Sequence, residues 1–108
     1  MYLLITFIPE KDKDKVIDAL FNAGAGKFSK YDRAAFICEG IGRFRPLENA
    51  NPYIGEKGKD EFVKEVRFET IVDENCIDNV LKTLKDVHPY EQPAVYIIKL
   101  DEKSFFNN

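Results

Sequence analysis

The chain has 108 residues, 44% of them apolar, which is enough for one hydrophobic core but not for two. Its 16 Lys and Arg residues stand against 19 Asp and Glu residues, which leaves a formal net charge of −3. A weakly acidic chain has no general attraction for polyanions, so nucleic acid and anionic membranes are not expected partners. We therefore expect a single domain over residues 1–108.

The first apolar run, residues 2–8, is too short to span a membrane and carries no cleavage signal. It predicts a core strand of a cytoplasmic protein. Cys38 and Cys76 are far apart in the sequence, which indicates neither a CxxC metal site nor a disulfide framework. We expect both cysteines to be reduced and partly buried.

The first half of the chain predicts a strand, a helix and a second strand. Pro9 ends the strand over residues 2–8, and the acidic residues that follow favour the start of a helix. Gly24 and Gly26 end that helix. Residues 34–38 then form a short strand closed by Gly40. The helix has an apolar stripe at three- and four-residue spacing: Val16, Ala19, Leu20 and Ala23.

Residues 40–59 are rich in glycine and proline and predict a long loop or hairpin tip. Loops of this length within a compact domain more often have a function than not. We therefore expect this segment to take part in assembly or to contact a partner protein.

The second half predicts another strand, helix and strand. Residues 61–72 alternate with period two, Asp73 is a suitable N-cap, and residues 94–100 form the last strand. His88 is expected in the last turn of the helix, which Pro89 ends. Residues 101–108 predict a tail in which Phe105 and Phe106 dock on the domain. The helix has the clearest apolar stripe of the chain: Ile77, Val80, Leu81, Leu84 and Val87.

This β-α-β-β-α-β order predicts an α+β, ferredoxin-like βαββαβ fold over residues 2–100. Its four-stranded antiparallel sheet would carry two helices on one face. The other face would then carry polar residues or pack on something, and the strand edges would be free to pair with a neighbouring chain, which predicts a homo-oligomer.

The segment from His88 to Pro93 contains the only histidine of the chain. His88 and Glu91 are candidate ligands for a divalent metal ion or an acid/base pair, with Tyr90 as a hydrogen-bond donor. The structural alternative, in which His88 interacts with the helix end and the prolines fix the turn, is favoured. Two ligands fall short of a tight zinc site, so a neighbouring subunit would have to add Glu39 or Glu65.

The segment from Gly40 to Pro46 is a candidate site for a small anion or nucleotide. Its glycines would let the backbone approach a phosphate, and Arg43 and Arg45 would supply positive charge. The motif is only a GxG without a helix start after it, so turn geometry is the favoured alternative. No serine or cysteine has a histidine near it in the sequence, so independent enzymatic activity is not expected.

Seven spaced motifs together resemble the domain inserted in YqfO-like members of the NGG-interacting-factor (Nif-three-like) family, the GTP cyclohydrolase 1 type 2 homologues. The resemblance covers residues 2–100. The His-Pro-Tyr-Glu segment also resembles CutA, the trimeric divalent-cation-tolerance protein, and the strand order resembles that of the nitrogen regulatory PII proteins. The motifs are Pro9-Glu10, Gly24-Ala25-Gly26, Tyr31-Asp32, Gly40-x-Gly42-x-Phe44-x-Pro46, Asn51-Pro52-x-x-Gly55, Val66-Arg67-x-Glu69 and His88-Pro89-Tyr90-Glu91-x-Pro93.

The resemblance implies a trimeric, non-enzymatic interaction or regulatory module that occurs here as a free-standing chain. In the full-length family the metal pair is held by flanking domains that have no counterpart in these 108 residues. In PII proteins the loop between the second and third strands senses ligands and contacts partners, and residues 40–59 occupy that place. Ser29 and Ala34 depart from the family pattern, which has glycine and cysteine there. Binding of a divalent metal, or of a small anion between subunits, remains an alternative.

Overall fold

The computed structural model of the protein describes residues 1–105. These residues form one four-stranded sheet and two α-helices, with two short 3-10 helices at Glu10–Asp12 and Glu102–Ser104. The sheet order is 2-3-1-4, and each neighbouring pair of strands is antiparallel, as the ferredoxin-like prediction requires. In chain order the main elements are β1 (Tyr2–Pro9), α1 (Lys13–Asn22), β2 (Ala35–Phe44), β3 (Glu61–Val72), α2 (Ile77–Val87) and β4 (Val95–Lys99).

One face of the sheet packs against both helices and forms the core. Alternation along β1 and β3 sends every second side chain to this face, and the apolar stripes of α1 and α2 meet it. Phe68 lies at the centre, fully buried, with its ring 5.7 Å from that of Phe21. The fully buried members of this core include Leu4, Ile8, Val16, Leu20, Val66, Phe68, Val72 and Val80.

The other face of the sheet, called the open face below, is not covered by either α-helix of residues 1–105 and combines apolar side chains with the charged Glu65, Arg67 and Glu69 of β3. Phe7 and Tyr96 lie side by side on it, with ring centroids 5.9 Å apart. Phe36, Tyr96 and Ile98 remain 64%, 53% and 48% exposed. By register, the apolar side chains of this face are Leu3, Ile5, Phe7, Phe36, Ile71, Tyr96 and Ile98.

The second strand is longer than predicted, because it does not end before Gly40. β2 continues to Phe44 and pairs with β3 down to Glu61, so the loop that follows covers residues 45–60. Ladder hydrogen bonds use only backbone groups, so Gly40 and Gly42 do not interrupt them. The same edge position leaves Cys38 exposed rather than partly buried, whereas Cys76 is half-buried, and both are free.

The predicted N-cap of the second helix is wrong. α2 begins at Ile77, with Cys76 in the N-cap position and no side-chain capping bond. The Asp73 carboxylate accepts the backbone N–H of Asn75 at 2.9 Å, so it forms a local turn instead.

The end of the first helix and the docking of the tail agree with their predictions as far as residue 105. Gly24 and Gly26 have φ of 119° and 84° at the end of α1, the conformation in which glycine is favoured. In the tail, the ring of Phe105 lies 5.5 Å from that of Phe28, whereas Phe106 falls outside the described residues. Neither α-helix within residues 1–105 has the length and apolarity that crossing a membrane requires.

Candidate functional site

A cavity of about 640 Å³ lies where the β2–β3 hairpin, the 45–60 loop and the segment before β4 meet. Its walls combine aromatic rings with charged groups. Four residues selected from the sequence, Arg43, Arg45, Tyr90 and Glu91, all line it. His88 does not line it but lies behind Tyr90, with ring centroids 5.0 Å apart.

Glu65 supplies the most deeply buried charge of the cavity. Its side chain belongs to β3, and the residue is 8% exposed. The Tyr90 hydroxyl donates a hydrogen bond of 2.6 Å to its carboxylate. Burial, together with this hydrogen bond to Glu65, raises the pKa of Tyr90. The phenol therefore stays protonated and acts as a donor.

Gly42 creates the space that the Glu65 carboxylate occupies. A Cβ built at position 42 would clash with this carboxylate, whereas one built at Gly40 would meet no atom within 4 Å. Alanine at position 42 would therefore force the Glu65 carboxylate to move from its hydrogen bond with Tyr90. Of the two glycines that suggested a phosphate loop in the sequence, Gly42 instead makes room for an acid.

Both ring nitrogens of His88 already have partners within the chain. Nε2 lies 2.7 Å from the Phe7 carbonyl oxygen, so it donates, and Nδ1 accepts the backbone N–H of Tyr90 at 3.1 Å. Burial lowers the pKa of His88, although the Phe7 carbonyl and the Glu65 and Asp12 carboxylates oppose this. The neutral imidazole thus fastens the chain after α2 to β1.

Glu91 is exposed and holds the 45–60 loop. Its carboxylate accepts the backbone N–H of Asn51 at 2.7 Å. No group of three potential metal ligands occurs within residues 1–105. Metal binding by His88 and Glu91 stays a prediction, and the hydrogen bonds of both side chains argue against these two as the ligands.

The two arginines also line the cavity. Both are exposed, and the Arg43 guanidinium lies 5.0 Å from the ring centre of Phe62. The sequence did not single out the aromatic walls. The ring of Tyr90 lies 5.8 Å from that of Phe44 and 6.3 Å from that of Tyr53. Anion binding at Arg43 and Arg45 also stays a prediction.

The fold places the chain in a known structural class. CutA1 of Pyrococcus horikoshii superposes with a TM-score of 0.67 at 22% identity, over 94% of this chain and 85% of that one. The PII-like protein CutA of Nostoc gives a TM-score of 0.70 at 15% identity, over 98% and 86% of the two chains. The chain therefore has the CutA/PII-like α+β fold.

Sequence relatives narrow this class further, although no family model matches the chain. The GTP cyclohydrolase 1 type 2 homolog of Halalkalibacterium halodurans is 43% identical over 87% of this chain, and that of Bacillus subtilis is 40% identical over 92%. A Bacillus cereus protein related to NIF3 superposes with a TM-score of 0.80 at 35% identity, over 94% of this chain.

The chain is thus related to one domain of the NIF3/YqfO-like proteins, as its motifs predicted. It spans about a quarter of the length of these relatives, since the matches cover 25% and 26% of them. The name that the relatives carry refers to whole proteins about four times as long as the matched segment.

Proposed function

We propose that this chain is a trimeric, non-enzymatic interaction or regulatory module whose open face forms the subunit interface. The observation that carries the proposal is the exposure of large apolar side chains on a sheet face that no helix covers. Phe36, Tyr96 and Ile98 are each about half exposed or more. Monomeric proteins rarely expose contiguous apolar patches, and such patches mark sites of association.

Two further features support association through this face. β2 lies at the edge of the sheet and is exposed along most of its length, so its outer backbone groups are free to pair with another chain. The fold is that of CutA, which is the trimeric protein that the His-Pro-Tyr-Glu segment resembles. This second support is an analogy at the level of the fold.

The absence of an enzymatic role is proposed from the chemistry of the site. The imidazole of His88 is used for structural hydrogen bonds. The raised pKa of Tyr90 keeps its phenol protonated, so Tyr90 does not serve as a general base. The cavity therefore contains groups that bind and orient rather than a nucleophile with a matched base. A cytoplasmic location is also proposed, because two free cysteines fit a reducing compartment.

The 45–60 loop is the surface we propose for a partner protein. It is folded back on the domain, because Gly58 donates its backbone N–H to the Pro46 carbonyl at 2.7 Å and Asn51 is bound by Glu91. Leu47 is 66% exposed on it. A partner would therefore meet a preformed surface, at a low entropic cost of ordering.

Light scattering on a size-exclusion column tests the trimer. The expected molar mass is three times the 12.5 kDa chain mass at micromolar concentrations. A mass equal to one chain at those concentrations would show that the open face does not drive assembly.

A further inference from the structure

We propose that the cavity binds an organic cation, with an ammonium group at the Glu65 carboxylate and an apolar body against the aromatic walls. The residues of this inference belong to one chain, and Phe7 is shared between the cavity wall and the open face. Three observations support it: an unbalanced buried charge, the rings around it and the position of the arginines.

The first observation is that Glu65 is a buried carboxylate with one neutral donor. It is 8% exposed, and Tyr90 donates a single hydrogen bond to it. The ion pairs formed within residues 1–105 do not include Glu65. A carboxylate that lines the cavity without a cationic partner among these residues offers a counter-charge to a cation that enters it.

The second observation is the aromatic lining next to this carboxylate. Phe7, Phe44, Tyr53 and Tyr90 all line the cavity. Tyr90 is inclined to Phe44 at 62° and to Tyr53 at 56°, so the rings form walls at different angles rather than a flat stack. Ring faces attract ammonium groups, and the attraction grows when the site excludes water.

The third observation decides the sign of the ligand charge. Arg43 and Arg45 are exposed, and the Arg43 guanidinium lies over Phe62, on the face of the hairpin opposite to Glu65. The charge at the base of the cavity is negative, from Glu65. An anion that contacts the arginines would be repelled by the Glu65 carboxylate. An amine would instead pair with this carboxylate, which is the most buried charge of the cavity. A volume of about 640 Å³ accommodates an amine with an aromatic body.

The test compares three small probes on the whole chain by calorimetry: phenethylamine, its neutral analogue 2-phenylethanol and phenyl phosphate. We expect phenethylamine to bind at least about tenfold more tightly than the alcohol, since a charged hydrogen bond is worth about 1.5–3 kcal/mol. Equal affinity for amine and alcohol, or no amine binding at about 10 mM, would overturn the proposal. Preferential binding of phenyl phosphate that Arg45→Ala abolishes would overturn it in favour of an anion site.

Two variants test the role of the carboxylate. Glu65→Gln keeps the size of the side chain and an oxygen that accepts from Tyr90, and it should weaken amine binding at least about tenfold. Glu69→Gln is the matched control, because Glu69 lies on the same strand, pairs with Arg67 at 2.7 Å and does not line the cavity. Amine binding that both variants leave unchanged contradicts the proposal.

Phe44→Leu tests the aromatic wall independently of the carboxylate. It should weaken binding of phenethylamine more than binding of the alcohol, because both probes lose contact of the phenyl group but only the amine also loses the attraction between its ammonium group and the ring face. An equal loss for both probes would contradict a cation site. The molar mass measured on the same samples separates the two proposals: a monomer that binds the amine refutes only the trimer, and a trimer that does not bind it refutes only the cation site.

Discussion

The two faces of the sheet differ in composition and in burial, because one is apolar and covered by the helices, whereas the other mixes apolar with charged side chains and stays partly exposed. On the face covered by α1 and α2, side chains such as Leu4, Ile8 and Phe68 are fully removed from water. On the open face, Phe36 and Tyr96 remain more than half exposed, and at its hairpin end Glu65 is buried with one hydrogen-bond donor. The side chains of the covered face are buried within one chain, whereas the open face has exposed apolar area that a second molecule can bury.

The largest expected effect separates the two faces by stability. Phe68→Ala should lower the free energy of unfolding by about 3–5 kcal/mol, because it leaves a cavity in the core. Tyr96→Ala, on the open face, should cost about 1 kcal/mol when measured at concentrations that keep the protein monomeric. Urea unfolding of both variants gives the comparison. Equal losses would mean that the open face contributes to folding as much as the covered one does.

A smaller effect on stability tests the packing of the Glu65 carboxylate beside Gly42. Gly42→Ala should cost about 1–3 kcal/mol, because the new methyl group displaces the Glu65 carboxylate and breaks its bond to Tyr90. Gly40→Ala, two residues earlier on the same strand, meets no atom within 4 Å and should be close to neutral. The same loss in both variants would indicate a general effect of alanine in β2.

The stability that the His88 hydrogen bonds contribute between α2 and β1 should depend on pH. The pKa of His88 is lowered by burial in the folded state, so the unfolded chain binds the proton more readily. The contribution of the neutral imidazole is complete above its ordinary pKa of about 6.5 and is lost as pH falls through the folded pKa. Thermal unfolding between about pH 5 and 7.5 should show this loss, and His88→Gln should remove that part of the dependence. An unchanged pH dependence in the variant would contradict it.

The smallest expected effect concerns metal binding. Because both His88 nitrogens have partners within the chain, His88→Ala should leave any affinity for zinc or copper unchanged. Calorimetric titration of the wild type and the variant with each metal measures this. A loss of tenfold or more in the variant would restore His88 as a ligand and would require its ring to turn from Phe7.

The element order and the covered face could be predicted from the sequence because both depend on local periodicity. The stripe of α2 and the alternation of β3 identify the same core residues that the structure buries. The length of β2 was missed because Gly40 and Gly42 read as turn residues, whereas their pairing depends on the partner strand. The sequence predicts a helix cap at Asp73, but the same residue also favours a turn, and local sequence does not distinguish the two.

The cavity could be predicted only in part. Arg43, Arg45, Tyr90 and Glu91 were selected from their motifs and do line it. The sequence does not predict the burial of Glu65, because this burial depends on Tyr90, which is 25 residues away in the chain. One signal was present in the sequence, namely the two glycines Gly40 and Gly42. Once β2 pairs with β3, these glycines leave room beside the Glu65 side chain.

The most direct test of the trimer proposal is the molar mass of two variants, Ile98→Asp and Tyr31→Ser. Both replace an exposed apolar side chain, but only Ile98 lies on the open face, where it pairs with Leu3. In the proposed trimer a charge at position 98 is buried without a partner, so Ile98→Asp should give the mass of one chain, 12.5 kDa. Tyr31→Ser should keep three times that mass. The same mass for both variants would contradict assembly through the open face.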